Sequence, residues 1–198
     1  NGDYFQLPNL VEIENKLTIL FVLDYDEGGA FFGKQNGNSN WDYAEHLWWF
    51  GNGGTTVPGS NPSFVGHSRA YFIANQGIPD SKSLLSFEKN NQAYNSANYA
   101  WRSNGTVLGT AIGNYTNAGD NNEAYYLGGA PNSYHGQRNF TGKIHEVLIF
   151  DDLLSETELS KVNQYLSQKW GLTDVVDSDG DGENDDTDCD PLDAGSSI

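Results

Sequence analysis

The sequence predicts an all-β protein, a sandwich or barrel of short strands with one C-terminal helix and an acidic tail. Three observations carry this. Short apolar or alternating runs are separated throughout by Gly, Asn, Asp, Ser and Pro clusters, the punctuation of antiparallel strands and turns. Glycine is abundant, with 23 residues beside 11 Tyr, 10 Phe and 5 Trp, the balance of a fold whose aromatics pack on pleated surfaces and whose glycines turn corners. One segment alone has helical spacing, and beyond it the chain is almost purely acidic and polar.

Tyr4–Leu7 reads as a first strand stopped by Pro8. Lys16–Tyr25 is the clearest strand: Leu17, Ile19, Phe21 and Leu23 alternate with Thr18, Leu20, Val22 and Asp24. Both faces are largely apolar, which predicts a central strand covered on both sides. After a Gly28-Gly29 turn, Ala30–Lys34 returns, and a polar loop leads to His46–Phe50, which ends at Gly51-Asn52-Gly53-Gly54. Ala70–Ala74 and Leu84–Glu88 read as a pair turned at Pro79 and Asp80. Tyr99–Arg102 and Thr106–Ile112 flank Ser103-Asn104-Gly105, a hairpin turn in which Asn-Gly supplies positive φ. Glu123–Leu127 and Gly142–Phe150 complete the strands.

The helix is placed at about 156–170. Ser155-Glu156-Thr157-Glu158 is a capping box, Leu159, Val162, Leu166 and Trp170 form one apolar stripe, and Gly171 sits where a left-handed terminating residue belongs. The stripe is expected to pack against the edge of the sandwich.

The net charge of −17 is uneven. Residues 174–198 hold nine Asp, one Glu and no Lys or Arg, leaving −7 for residues 1–173. An acidic chain without a basic patch is a poor nucleic-acid partner, because neutralised phosphate supplies most of that affinity. No run approaches the roughly 18 apolar residues of a membrane span, so no membrane insertion is expected. No signal segment is visible either, and the chain reads as a mature or excised piece of a larger polypeptide. Cys189 is the single cysteine, too few for an internal disulfide.

The acidic tail carries the sharpest motif. Asp177, Asp179, Asp181, Asp185 and Asp188 fall at positions 1, 3, 5, 9 and 12 of one loop, with Gly182 at position 6 and the Glu183 carbonyl at position 7. Calcium takes six to eight hard oxygens in a flexible cage, and this spacing wraps one loop around one ion. The expected metal residues are therefore Asp177, Asp179, Asp181, Glu183, Asp185 and Asp188, with Ca2+ as the cofactor. Without an ion the mutual repulsion of these acids predicts a disordered tail. Asp190 and Asp193 read as the start of a second, incomplete site; Asn114, Asn117, Asp120 and Asn122 could supply oxygens for a calcium site in the sandwich, but read first as an ordinary polar loop.

Catalytic patterns are missing. Glycosidases of sandwich type place acids on alternate positions of one strand, so that nucleophile and general acid face one cleft, and no such run occurs. Glu12 and Glu14 share a face in a short polar segment, Asp24-Tyr25-Asp26-Glu27 reads as turn chemistry, and Glu146 stands alone beside Lys143 and His145. Gly66-His67-Ser68-Arg69 is not a nucleophile elbow. His46, His67, His135 and His145 lack paired zinc spacing.

Aromatic and hydrogen-bonding residues mix in three places as they do where sugars bind: Trp41 and Tyr43; Tyr99, Trp101 and Arg102; and Tyr134, His135 and Arg138. The expected ligand residues are Trp41, Tyr43, Tyr99, Trp101, Tyr134, His135 and Arg138. Trp48, Trp49 and Trp170 read as packing residues.

Phe140-Thr-Gly-Lys-Ile-His-Glu-Val-Leu-Ile-Phe150, then Leu153-Leu154-Ser155-Glu156 and the helix ending Lys169-Trp170-Gly171, resembles the C-terminal part of bacterial laminin-G-like, concanavalin A-like domains. Asn1–Phe5 and Thr18–Leu23 resemble early strands of the same domains. The resemblance covers residues 1–172, and implies a two-sheet antiparallel jelly-roll sandwich, extracellular use and binding of carbohydrate or protein. Asp177–Pro191, with Asp188-Cys189-Asp190-Pro191, is similar to a thrombospondin type 3 repeat. That likeness accounts for Asp rather than Glu at position 12 and for the lack of flanking helices, and implies cysteine pairing between repeats. The division is thus a sandwich over 1–172 and a calcium-binding segment over 173–198. The function expected is a non-catalytic, secreted or cell-surface carbohydrate-binding or adhesion module, with a polysaccharide, glycan or extracellular protein as partner. The alternative is a structural or protein-interaction spacer of a large surface protein; fold alone does not separate the two.

Overall fold

The computed structural model describes residues 4–8, 10, 16–27, 29–34, 46–49, 62–65, 71–73, 79, 81–90, 97–113, 124–128 and 140–196, with backbone alone for 27, 29–30, 34, 46–49, 62–65, 71–73, 97–98 and 111–113. Eleven strands and one helix are described: β1 (Phe5–Leu7), β2 (Lys16–Glu27), β3 (Gly29–Lys34), β4 (His46–Trp49), β5 (Pro62–Val65), β6 (Tyr71–Ile73), β7 (Ser83–Asn90), β8 (Ala97–Ser103), β9 (Thr106–Gly113), β10 (Tyr125–Leu127), β11 (Thr141–Phe150) and α1 (Glu156–Trp170). They form two antiparallel sheets, one ordered β1-β10-β3-β4-β5-β6 and the other β11-β2-β7-β8-β9. This is the jelly-roll sandwich with one C-terminal helix.

β2 explains its own composition. It lies between β11 and β7. Leu17, Ile19, Phe21, Leu23 and Tyr25 face the other sheet, where they join Phe31, Phe32, Leu85, Phe87, Tyr99 and Trp101 in the main core. Leu20 and Val22 point the other way, into a second cluster with Leu84, Leu159, Leu166, Leu172 and Val176. Each such side chain removed from water contributes about 1.5–3 kcal/mol before entropy is charged, so both apolar faces are used. The main core is aromatic at its centre: Phe21 meets Phe31 edge-on at 4.8 Å, and Phe87 meets Trp101 at 4.5 Å.

The helix has the expected caps. Ser155 Oγ accepts from the Glu158 amide and the Glu158 carboxylate accepts from the Ser155 amide, while Gly171 ends the helix at φ 64. Its stripe does not seat on the sandwich edge. Leu159 and Leu166 cover the outer face of the five-stranded sheet, because β2 and β7 present a second apolar face there that solvent would otherwise meet.

One pairing differs from that read in the sequence. β6 pairs with β5, whereas β7 pairs with β2 and β8, so Ala70–Ala74 and Leu84–Glu88 belong to different sheets. The Asn104-Gly105 hairpin is as expected, with φ of 50 and 86 and Ser103 opposite Thr106. Two irregularities re-aim side chains. One in β3 between Ala30 and Phe32 buries Phe31 and Phe32 together. One in β11 between Ile144 and Glu146 brings His145 beside Asp24 and Trp170.

Candidate functional site

Residues 171–176 join α1 to the acid loop. Leu172 and Val176 sit on either side of the boundary read in the sequence and share one cluster with the sheet and helix. From Asp177 the chain curls on its own carboxylates. Asp177 Oδ1 accepts from the Gly180 amide at 2.7 Å and Oδ2 from the Gly182 amide at 3.0 Å. Asp179 Oδ1 accepts from the Asp181 amide and Asp181 Oδ1 from the Glu183 amide. Gly180 and Gly182 take positive φ of 82 and 102, open to glycine at little cost.

These turns use one oxygen each of Asp179 and Asp181. The other oxygen of each, Oδ2, is buried without a hydrogen-bond partner, as is Glu183 Oε2. Asp177, Asp179 and Asp181 can each direct a carboxylate oxygen to within 4.8 Å of the others. Burial raises the Asp179 pKa, and the carboxylates of Asp181, Asp188 and Asp177 raise it further against the lowering effect of the Asp181 amide. Three carboxylates this close together, two of them with a buried oxygen that lacks a donor, fit a hard divalent cation, which replaces repulsion by coordination.

Six metal residues were expected, and the structure gathers three, Asp177, Asp179 and Asp181. Glu183, expected to offer its main-chain carbonyl, stands outside the trio and has a buried side-chain oxygen without a partner. Asp188 lies close enough to act electrostatically on Asp179, and its Oδ1 accepts from the Asp190 amide. Asp185 lies outside that trio and clasps the loop. Its Oδ1 accepts from the Ser178 amide, and its Oδ2 accepts from the hydroxyls of Ser178 and Ser167, tying the loop to the helix. Cys189 is exposed, with Sγ 3.2 Å from the Ser196 carbonyl.

Two expected ligand residues are corrected. Tyr99 and Trp101 are 2% and 0% exposed and belong to the inter-sheet core. Period-two alternation puts them on the inner face of β8, whereas Arg102 points outward to Glu88 and Glu156. Trp41, Tyr43, Tyr134, His135 and Arg138 lie outside the described residues, as do Asn114, Asn117, Asp120 and Asn122.

Sequence reading missed the partners of β11. Glu146 pairs with neither Lys143 nor His145: Oε1 accepts from Lys169 Nζ at 2.8 Å and Oε2 from the Trp170 indole at 2.6 Å. His145 Nε2 lies 2.9 Å from Asp24 Oδ2. These carboxylates fasten the helix end and the β11 irregularity. A cavity of about 390 Å³ opens between β1, β10 and β11, lined by Phe5, Leu127, Gly128, Phe140, Thr141, Gly142 and Ile144. Among the described lining residues Thr141 alone carries a side-chain hydroxyl. Among the described residues no helix is long and apolar enough to cross a membrane.

No family model matches the sequence, and no curated protein matches it. Solved structures do. The chain is similar to the CBM40 of the Ruminococcus gnavus IT-sialidase bound to α2,3-sialyllactose, at 14% identity and TM-score 0.59, over 82% of this chain and 96% of that one. It is similar to the NanB sialidase of Streptococcus pneumoniae at 13% identity and TM-score 0.60, over 80% of this chain and 26% of that one. It is similar to domain 4 of AbnA, an extracellular arabinanase from Geobacillus stearothermophilus in complex with arabinotriose, at 18% identity and TM-score 0.51, over 78% and 68%. At these identities the likeness shows a shared jelly-roll fold.

Proposed function

We propose that the chain is a non-catalytic carbohydrate-binding or adhesion module of a larger secreted or cell-surface protein, with calcium ordering its acid loop. The observation that carries this reading is the sandwich, which is similar over most of its length to modules solved with sialyllactose and arabinotriose. The sequence adds aromatic and hydrogen-bonding residues in polar stretches, Trp41 and Tyr43, and Tyr134, His135 and Arg138. Such mixtures stack on the apolar faces of sugars and bind their hydroxyls. The carboxylates of Glu146 and Asp24 are committed to structural partners, which favours binding over hydrolysis. The division proposed is a sandwich over residues 1–172 and a segment over 173–198 similar to a thrombospondin type 3 repeat, with Asp177, Asp179 and Asp181 holding the ion.

A glycan array probed in calcium with the whole chain tests the reading, with sialosides and arabinans among the targets. Retention of one glycan class, lost in Trp41→Ala or Tyr134→Ala, supports it. Silence across the array turns the weight to a structural spacer, a reading favoured by the seating of Val176 and Asp177 on the sandwich.

A further inference from the structure

We infer that the acid loop is a calcium-dependent lock on the sandwich, not a linker leaving it; this rests on the calcium reading above. The contact is made at the β8–β9 turn. The Asp177 amide donates to the Asn104 carbonyl at 3.1 Å. Asn104 is itself tied to β7: its amide donates to the Leu84 carbonyl at 2.7 Å, and its Oδ1 accepts from the Leu84 amide at 2.8 Å. Leu84 belongs to the cluster beneath the helix. An unbroken run of main-chain and amide contacts therefore joins the first acid of the metal trio to the sheet.

The approach is close. A Cβ built on Gly105 would stand 1.7 Å from the Asp177 carbonyl oxygen, so only glycine lets the loop reach the turn. A second clasp holds the far side of the loop. The Asp185 amide donates to the Val176 carbonyl at 2.8 Å, and the Asp185 carboxylate accepts from Ser167 on α1. Val176 between the clasps is fully buried. The trio is assembled only while both clasps are closed, because Asp177 holds the turn with its main chain and faces the trio with its side chain. An ion bound by the closed form alone stabilises the docked state by mass action, and opening of the turn then requires its release.

Amide hydrogen exchange on the whole chain, with calcium and with chelator, reads this directly, and a calorimetric titration of calcium runs beside it. At free calcium about 100 times the dissociation constant, openings that release the ion become about 100-fold rarer. The amides of Leu84 and Asn104 on the sandwich are expected to slow by about that factor, together with those of Asp177 and Glu183. Slowing at Glu183 with Asp177, Leu84 and Asn104 unchanged overturns the lock and leaves the calcium reading intact. No heat and no slowing anywhere overturns both. Gly105→Asn keeps a residue that tolerates positive φ while its Cβ meets Asp177, and is expected to weaken calcium binding at least about tenfold (~1.4 kcal/mol). Ser167→Ala, which removes the second clasp without touching the turn, is expected to weaken it as well. Unchanged affinity in both variants overturns the lock.

Discussion

The indole N–H of Trp170, the last residue of the helix, donates to Glu146 on β11 at 2.6 Å. One hydrogen bond thus joins the end of α1 to an outer strand of the sheet it covers. Lys169 reaches the other carboxylate oxygen, so two consecutive helix residues share one acceptor group.

Glu146→Ala is expected to destabilise the fold by about 1 kcal/mol, the cost of leaving the half-buried indole N–H without its acceptor. Glu146→Gln retains an acceptor for the indole and is expected to cost less. Urea unfolding followed by tryptophan fluorescence measures both.

The same group sets a pH dependence. Burial pushes the Glu146 carboxyl up, but hydrogen bonds from Lys169 and Trp170 outweigh it and hold the pKa below its ordinary value. A lowered folded-state pKa stabilises above the unfolded value, and that contribution is lost as pH falls through the folded one. The stability gap between the native chain and Glu146→Gln is therefore expected to be full near neutrality and to shrink at acid pH. Urea midpoints across that range test the sign; a gap that widens on acidification contradicts it.

Trp101→Ala is expected to cost about 3–5 kcal/mol, as for other buried aromatics cut to alanine. Its urea midpoint is expected to collapse, which a residue that served only a surface ligand would not cause.

Asn104→Ala loses the side-chain acceptor of the Leu84 amide and places a Cβ residue at φ 50 without Asn's tolerance for it. The expected loss is about 2–4 kcal/mol in urea unfolding, from an unsatisfied donor together with left-handed strain.

What the sequence made legible was local. The Asn104-Gly105 turn and the Ser155–Glu158 capping box depend on residues within a few positions, and both are present as read. The two apolar faces of β2 foretold cover on both sides, although not that a helix supplies one of them. What failed was non-local. Strand neighbours in this topology are far apart in the chain, so Ala70–Ala74 was matched to the next strand in sequence although β6 lies in the other sheet. Pro62–Val65 is four residues long with no alternation to mark it. The burial of Tyr99 and Trp101 was within reach, since they alternate with the outward Arg102. The clasp role of Asp185 was not, because Ser167 lies 18 residues earlier on a helix face. The expected ligand residues Trp41, Tyr43, Tyr134, His135 and Arg138 fall outside the described residues.

Calorimetric titration of the whole chain with calcium tests the acid loop most directly, with Asp179→Ala and Asp181→Ala beside it. Each variant removes one of the buried oxygens that lack a donor. The expected result is saturable calcium binding in the native chain, weak or absent in both variants, with magnesium a poor substitute because it demands a tight octahedron and sheds water reluctantly. Calcium binding of equal affinity in all three chains, or none in the native chain, would contradict the assignment.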